Sequence, residues 1–396
     1  IFKLKNLSNL ISTSTIKFLY ILCYSFAMRL LDKRIMSHFD YLILIFIAPL
    51  IILSYVLISE ANDALASKQV FYYTISLFIF ILVFMFPLRK NLRLVPFLYW
   101  IGILLLLAVE FIGVTKLGAK RWIHIPLLDT TIQPSEIIKP IYILMLGYLI
   151  QRKPPPIGGY GLKDFGYFSI YIFIPFFLIA KEPDLGTALV LLLVGYGILF
   201  IIGVNWKIWL GIVFILSIFL PFSYNYIMKD YQKKRVHDFI VAEKPSYHVQ
   251  QSIIAIGSGG LTGKDSDEAT QTQLKFLPIA TSDFIFAYLV ERHGFLGAFG
   301  LIVLYVIIIL HLFTINYFFK TDFIVKAFSS GLALLIFLNM SVNILMVIGF
   351  APVVGIPLPL FSYGGSSFIN FIVTFAILEN LLAFRYMDMY NYERKM

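Results

Sequence analysis

YLILIFIAPLIILSYVLI, residues 41–58, contains no Asp, Glu, Lys or Arg. A hydrocarbon core about 30 Å thick is crossed by a helix of about 20 mostly apolar residues, so this stretch reads as a membrane span. Outward from it, apolar runs recur at 40–60, 70–88, 95–114, 137–150, 165–180, 185–204, 207–227, 285–317, 325–350 and 366–386. The fourth run is short, and the eighth is long and interrupted by Glu291, Arg292 and His293. Composition agrees: 60% of the 396 residues are hydrophobic and 14% are charged, whereas a soluble domain has about 45–50% and about 25%. The fold expected is all-α, a polytopic integral membrane protein with about ten transmembrane helices. The formal net charge of +10 does not point to nucleic acid, because the basic residues are scattered among loops and form no stripe with interleaved aromatics. Cys23 is the single cysteine, which leaves no disulfide framework and no cysteine metal site within one chain.

With an even number of spans both termini share one side, and the Lys/Arg excess of the short loops decides which. Termini inside gives Lys3, Lys5, Lys17, Arg29, Lys33 and Arg34, then Arg89, Lys90, Arg93, Arg152, Lys153 and Lys163, then Lys207, Lys320, Lys326, Arg385, Arg394 and Lys395. These eighteen stand against Lys68, Lys116, Lys120, Arg121 and Lys181 in the short outer loops. Cytoplasmic termini are therefore expected, with residues 228–284 forming a long extracytoplasmic loop between the seventh and eighth helices. Residues 1–35 read as a basic N-terminal extension, either an amphipathic surface helix or upstream sequence translated ahead of a native start at Met28 or Met36. Residues 36–396 read as a single transmembrane domain.

An ionisable group in a spanning helix usually faces a cavity or a partner. Glu110, Glu136, Lys139, Asp184 and Glu379 sit in or at the ends of apolar runs. Each alone could snorkel to the interface, but together they suggest a polar interior. Glu136 and Lys139, three apart on one helical face, form a structural charge pair by this reading. The outer loop gathers Lys233, Lys234, Arg235, Gln251, Ser252 and a GSGG at 257–260. Cations with amides freed by glycine make a seat for a pyrophosphate, or equally a plain turn between short interfacial helices. Asp283 stands at the mouth of the eighth helix, where an acid serves either as a base toward a sugar hydroxyl or as a helix cap.

The motifs GAKRW (118–122), QPSEIIK (133–139), PDLGT (183–187), YQKKRV (231–236), YHVQQS (247–252), IAIGSGGLTGK (254–264), QTQLKFLP (271–278), SDFIFA (282–287) and VVGIPLPLFSYGGSS (353–367) follow in order. With them the chain, over about residues 36–386, resembles the shape, elongation, division and sporulation (SEDS) polymerases, and the RodA branch more than the division enzyme FtsW. The resemblance implies a peptidoglycan glycosyltransferase of the bacterial cytoplasmic (inner) membrane that polymerises lipid II, with inversion and release of undecaprenyl pyrophosphate. It implies Asp283 as general base and substrate contacts from Arg121, Lys139, Asp184, Lys234, Arg235, Gln251, Ser252, Lys264, Gln271, Ser362, Gly364 and Ser366. It also implies a class B penicillin-binding transpeptidase, elongation-complex proteins and membrane lipids as partners, and it allows a divalent cation (Mg or Mn), although no metal-ligand cluster is visible. The chain departs from the family pattern at Glu182, Asp265, Ala269, Ile279, Ser282 and Arg292. A lipid II flippase, or a non-catalytic scaffold of the wall-synthesis complex, are the alternatives.

The topology has a direct check. In a chain whose Cys23 is replaced by Ser, the substitution Ser246→Cys should react with a membrane-impermeant reagent from outside intact cells; labelling only after lysis contradicts the orientation.

Overall fold

A computed structural model of the chain describes residues 33–116, 119–125, 130–226, 233, 247–265, 269, 281–319 and 321–385. After a short helical turn at Lys33–Met36 come α1 (Tyr41–Ala61), α2 (Asp63–Met85) and α3 (Leu94–Ile112). A small sheet follows, β1 (Val114–Lys116), β2 (Ala119–Ile125) and β3 (Thr130–Ile132), and then α4 (Pro134–Arg152), α5 (Leu162–Lys181), α6 (Leu185–Ile202) and α7 (Trp206–Tyr226). Helix α8 (Tyr247–Ser258) lies within the outer-loop sequence, and α9 (Ile285–Phe318), α10 (Phe323–Val347) and α11 (Gly365–Ala383) complete the order.

Local chemistry sets the helix starts. Asp40 accepts from the Leu42 amide at the head of α1, and Asn62 accepts from the Ala64 and Leu65 amides at the head of α2, so orphan first-turn donors find side-chain oxygens. Pro134 opens α4 at a position where its missing N–H costs nothing. Pro49, Pro140, Pro175 and Pro221 fall inside helices, which membrane helices tolerate when neighbours re-satisfy the freed carbonyls.

By length and composition, eight helices among the described residues suffice to cross a membrane: α1, α2, α3, α5, α6, α9, α10 and α11. Helices α4 and α7 occupy the fourth and seventh apolar runs. The polytopic, essentially all-helical class expected from the sequence is what the chain adopts, and the chain is a multi-pass membrane protein. Helix α4 is buried along nearly its whole length and packs on α3 and α10, while α10 also packs on α6 and α9. The eighth run is one long helix across Glu291–His293, broken at Gly294 (φ 66°, ψ −164°).

The sheet was not anticipated. Its strands run antiparallel in the order β1-β2-β3, pairing Val114 with Trp122 and Ile123 with Ile132. Its signal in sequence is weak, because AKRWIHI at 119–125 places Lys120 beside Arg121 and Trp122 beside Ile123 and so keeps no period of two.

Two stretches of backbone depart from helix among the described residues of the bundle, and protein groups bond into both. At the Gly294 break, the Phe295 and Leu296 amides donate to the Gly260 and Leu261 carbonyls, and the Lys264 amide donates to the Glu291 carbonyl. The segment between α10 and α11 has its Phe361, Pro359 and Ile356 carbonyls bonded by Ser54 Oγ at 2.6 Å, Tyr305 Oη at 2.7 Å and Asn343 Nδ2 at 2.7 Å. Non-helical backbone survives at this depth only when buried in protein or lining a cavity.

Candidate active site

A cavity of about 780 Å³ opens between the sheet, α4, α6, α10 and the non-helical segment after α10. Strand β2 supplies Arg121 and Trp122, the entry to α4 supplies Gln133, and α4 itself supplies Glu136 and Lys139. Asp184 and Thr187 come from the head of α6, Asn339 from α10, Asp283 from the turn before α9, and Gly364 and Ser366 from the head of α11.

The charges in this cavity are mostly spent on one another. Lys139 Nζ lies 2.5 Å from Glu136 Oε1, both side chains nearly sealed from solvent. Arg121 Nη1 stands 3.6 Å from Asp184 Oδ1, and its guanidinium also donates to the Glu182 and Pro183 carbonyls. Asp184 accepts from Gln133 Nε2 at 3.2 Å and from the Thr187 amide at 3.4 Å, so it caps α6 as well. Glu182, beside this group, is buried with both carboxylate oxygens unbonded among the described residues. Burial first, and the charge of Asp184 second, push it up to about 8, with Arg121 pulling the other way.

Asp283 differs from its neighbours. Among the described residues no side chain bonds its carboxylate, and burial holds it above the usual carboxylate range. The side chain lies against Gly355, where an added Cβ would come within 3.4 Å of Oδ2. Gly355 also has φ +76°, so a larger residue would be strained there as well as crowded against the acid.

Of the residues singled out from sequence, Arg121, Lys139, Asp184, Asp283, Gly364 and Ser366 are brought together on this one cavity, with Glu136. Gln251, Ser252, Lys264 and Ser362 are not among its lining. Ser252 is buried and donates to the Val249 and Val347 carbonyls, fastening α8 to the end of α10. The glycine-rich run at 257–260 and Lys264 serve the break in α9: a Cβ on Gly263 would fall 2.1 Å from the Arg292 carbonyl, so glycine there permits the close approach. Of those backbone groups, the Gly260 and Leu261 carbonyls and the Lys264 amide pair with α9, while the Gly259 and Gly263 amides donate to the Ile256 and Gly259 carbonyls. Lys234, Arg235 and Gln271 lie outside the described residues. Glu110 does not belong to the polar interior either: it is half-exposed and pairs with Lys181 at 2.5 Å. Glu379 is buried apart from the cavity and accepts from the Asp40 amide at 3.0 Å.

Gln133, Trp122 and Asn339 were passed over. The first two stood within quoted motifs. Asn339 and Asn343, four residues apart in a mostly apolar helix, share one face of α10, and that spacing was the available signal. No group of three or more His, Cys, Asp or Glu among the described residues is placed to hold a metal ion. The cavity carboxylates of Glu136 and Asp184 are engaged by Lys139, Arg121 and Gln133.

Comparison with known proteins bears on the whole chain. The family model of cell cycle proteins covering FtsW, RodA and SpoVE matches residues 29–387. The peptidoglycan glycosyltransferase MrdB of Helicobacter pylori (strain ATCC 700392 / 26695) is 52% identical over 361 residues, covering 91% of this chain and 94% of the relative. MrdB of Escherichia coli K12 is 36% identical over 357 residues, covering 88% and 95%. Among solved structures, one from a peptidoglycan synthase complex that coordinates polymerization and crosslinking superposes with a TM-score of 0.77 at 27% identity, over 88% of this chain and 99% of that one. The crystal structure of the rod shape determining protein RodA of Thermus thermophilus gives 0.66 at 25% identity, over 88% and 98%.

The buried Glu136–Lys139 pair generates a stability test. Removing one partner leaves an uncompensated buried charge, at a cost of about 3–5 kcal/mol. Glu136→Gln or Lys139→Met should each lower the yield and melting temperature of detergent-purified protein, and the double exchange Glu136→Lys with Lys139→Glu should recover part of the loss. Single variants as stable as the parent would show that the pair does not hold the fold.

Proposed function

The chain belongs to the FtsW/RodA/SpoVE family of cell cycle proteins and is a peptidoglycan glycosyltransferase, and from this premise we propose that Asp283 is the base that activates a lipid II hydroxyl in the cavity. The observation that carries the reading is a half-buried carboxylate, unbonded among the described side chains, on a cavity that also holds Arg121 and Lys139. A sugar hydroxyl is a weak nucleophile at neutral pH, and a positioned base is worth about 10²–10⁴ in rate. The GlcNAc 4-hydroxyl of one lipid II gives its proton to Asp283 while its oxygen attacks the anomeric carbon of the lipid-linked glycan. The C–O bond to the pyrophosphate breaks with inversion, and undecaprenyl pyrophosphate leaves with the electron pair.

The leaving anion needs a cation, and geometry discriminates between the two in the cavity. Lys139 is held at 2.5 Å by Glu136, whereas Arg121 meets Asp184 at 3.6 Å. The looser contact is the one a pyrophosphate displaces, at the Nη1 that faces Asp184, while Nε and Nη2 stay on the Glu182 and Pro183 carbonyls. Lys234 and Arg235, from the outer loop, are further candidates. No step is routed through a metal ion. In this reading the termini are cytoplasmic, the cavity opens toward the outer leaflet, and the partner is a class B penicillin-binding transpeptidase of the elongation complex that crosslinks the new strand.

Asp283→Asn keeps shape and loses the base. Polymerisation of purified lipid II should fall at least about a hundredfold, with the protein still folded. Because burial raises the Asp283 pKa, the active carboxylate exists only above a pH higher than an ordinary aspartate would need. The rate of the parent should therefore drop as pH falls through that raised pKa. The same shift means that the ionised form costs folding stability above the pKa and that the cost is relieved below it, so the amide should be no less stable at neutral pH. Near-parental polymerisation by Asp283→Asn would refute the assignment.

A further inference from the structure

The turn that presents Asp283 is held from behind through its main chain. Each of three consecutive carbonyls accepts one hydrogen bond from a different donor. The Tyr363 amide donates to Thr281 O at 2.8 Å, Ser362 Oγ donates to Ser282 O at 2.7 Å, and Asn343 Nδ2 donates to Asp283 O at 2.9 Å. The donors come from α10 and from the non-helical segment ahead of α11, so the turn is fixed to two elements that are not its chain neighbours.

Both side chains in this clamp are committed on more than one side. Asn343 is fully buried, and its amide nitrogen also donates to Ile356 O at 2.7 Å, tying the base turn to the segment that carries Gly355. Ser362 is buried, donates to Ser282 and accepts from the Leu358 amide at 2.9 Å. Neither lines the cavity. The α9 start has no side-chain cap, and the Asp283 carboxylate has no bonded partner among the described side chains, so among the described residues the hydrogen bonds that fix the acid run through its main chain.

We propose that Asn343 and Ser362 are positioning residues for glycosyl transfer, fixing the 281–283 turn so that the Asp283 carboxylate meets the acceptor hydroxyl at bonding distance. The proposal rests on the reading of Asp283 as the base, and it reassigns Ser362 from substrate contact to support. An error of about 1 Å in a reacting group costs about a hundredfold in rate, so loosening the turn acts on turnover and spares substrate affinity.

The test compares Ser362→Ala, Ser362→Thr, Asn343→Leu and Asp283→Asn as purified full chains polymerising lipid II, with melting temperature measured alongside. For Ser362→Ala the expected result is turnover lower by about ten- to a hundredfold at unchanged KM. The acidic limb of the pH–rate profile should also move to lower pH, because a freed carboxylate gains solvent. Ser362→Thr, which keeps the donor, should restore most of the turnover. Asn343→Leu should show the same split; if it does not fold, Ser362→Ala decides alone. Parental turnover per folded molecule in Ser362→Ala, a raised KM with parental turnover, or an unmoved acidic limb would each overturn the proposal. If Asp283→Asn is inactive while both clamp variants run at the parental rate, the clamp fails and the base stands; if Asp283→Asn is active, the base reading itself fails.

Discussion

In a hydrocarbon medium every backbone N–H and C=O must find its partner inside the protein, and this requirement governs where the molecule can place chemistry. A continuous helix satisfies itself but presents only side chains along its flanks. To set an acid at the end of a cavity the chain has to leave helix, and it leaves helix after α10 and within α9. After α10 the main chain runs non-helically through the bundle, with carbonyls bonded by Ser54, Tyr305 and Asn343. Within α9 the break at Gly294 is closed by the backbone of residues 260–264. The loop glycines thus answer a packing demand, because the two chains approach at main-chain distance.

Electrostatics then separates one carboxylate from the rest. Glu136 and Asp184 each face a cation, and the formal charges of those two pairs cancel. A neutral, desolvated surround keeps Asp283 from being stabilised as an anion, which makes it a stronger base than an exposed aspartate. Glu182 is raised as well, by its own burial and then by the charge of Asp184. A pyrophosphate entering here has to take over a cation already in use, and the 3.6 Å Arg121–Asp184 contact is the weaker of the two.

Much of this was readable from the chain. Apolar runs of span length set the class, and the charges at Glu136, Lys139, Asp184 and Asp283 marked a polar interior because each is costly in lipid. What stayed hidden depended on tertiary approach. The strand at 119–125 carries no regular period of two, so it could not stand out between flanking spans. Ser252 and Ser362 look like ligand contacts in sequence, since a hydroxyl is uncommon in apolar surroundings, yet their bonds go to carbonyls of other elements, and Lys264 is fastened to α9 through its main-chain amide. A one-dimensional reading cannot distinguish a hydroxyl that meets substrate from one that meets a backbone carbonyl. Asn339 and Asn343 share a helical face, but one lines the cavity and the other supports the turn behind it.

The central claim is spatial, that the acceptor sugar and Asp283 meet in this cavity. It is tested most directly by determining the structure of the Asp283→Asn protein with a lipid-linked acceptor bound. The account predicts a sugar hydroxyl about 2.6–3.2 Å from the residue 283 side chain, with the pyrophosphate near Arg121. A sugar seated instead on the 257–264 segment, with residue 283 out of reach, would contradict it.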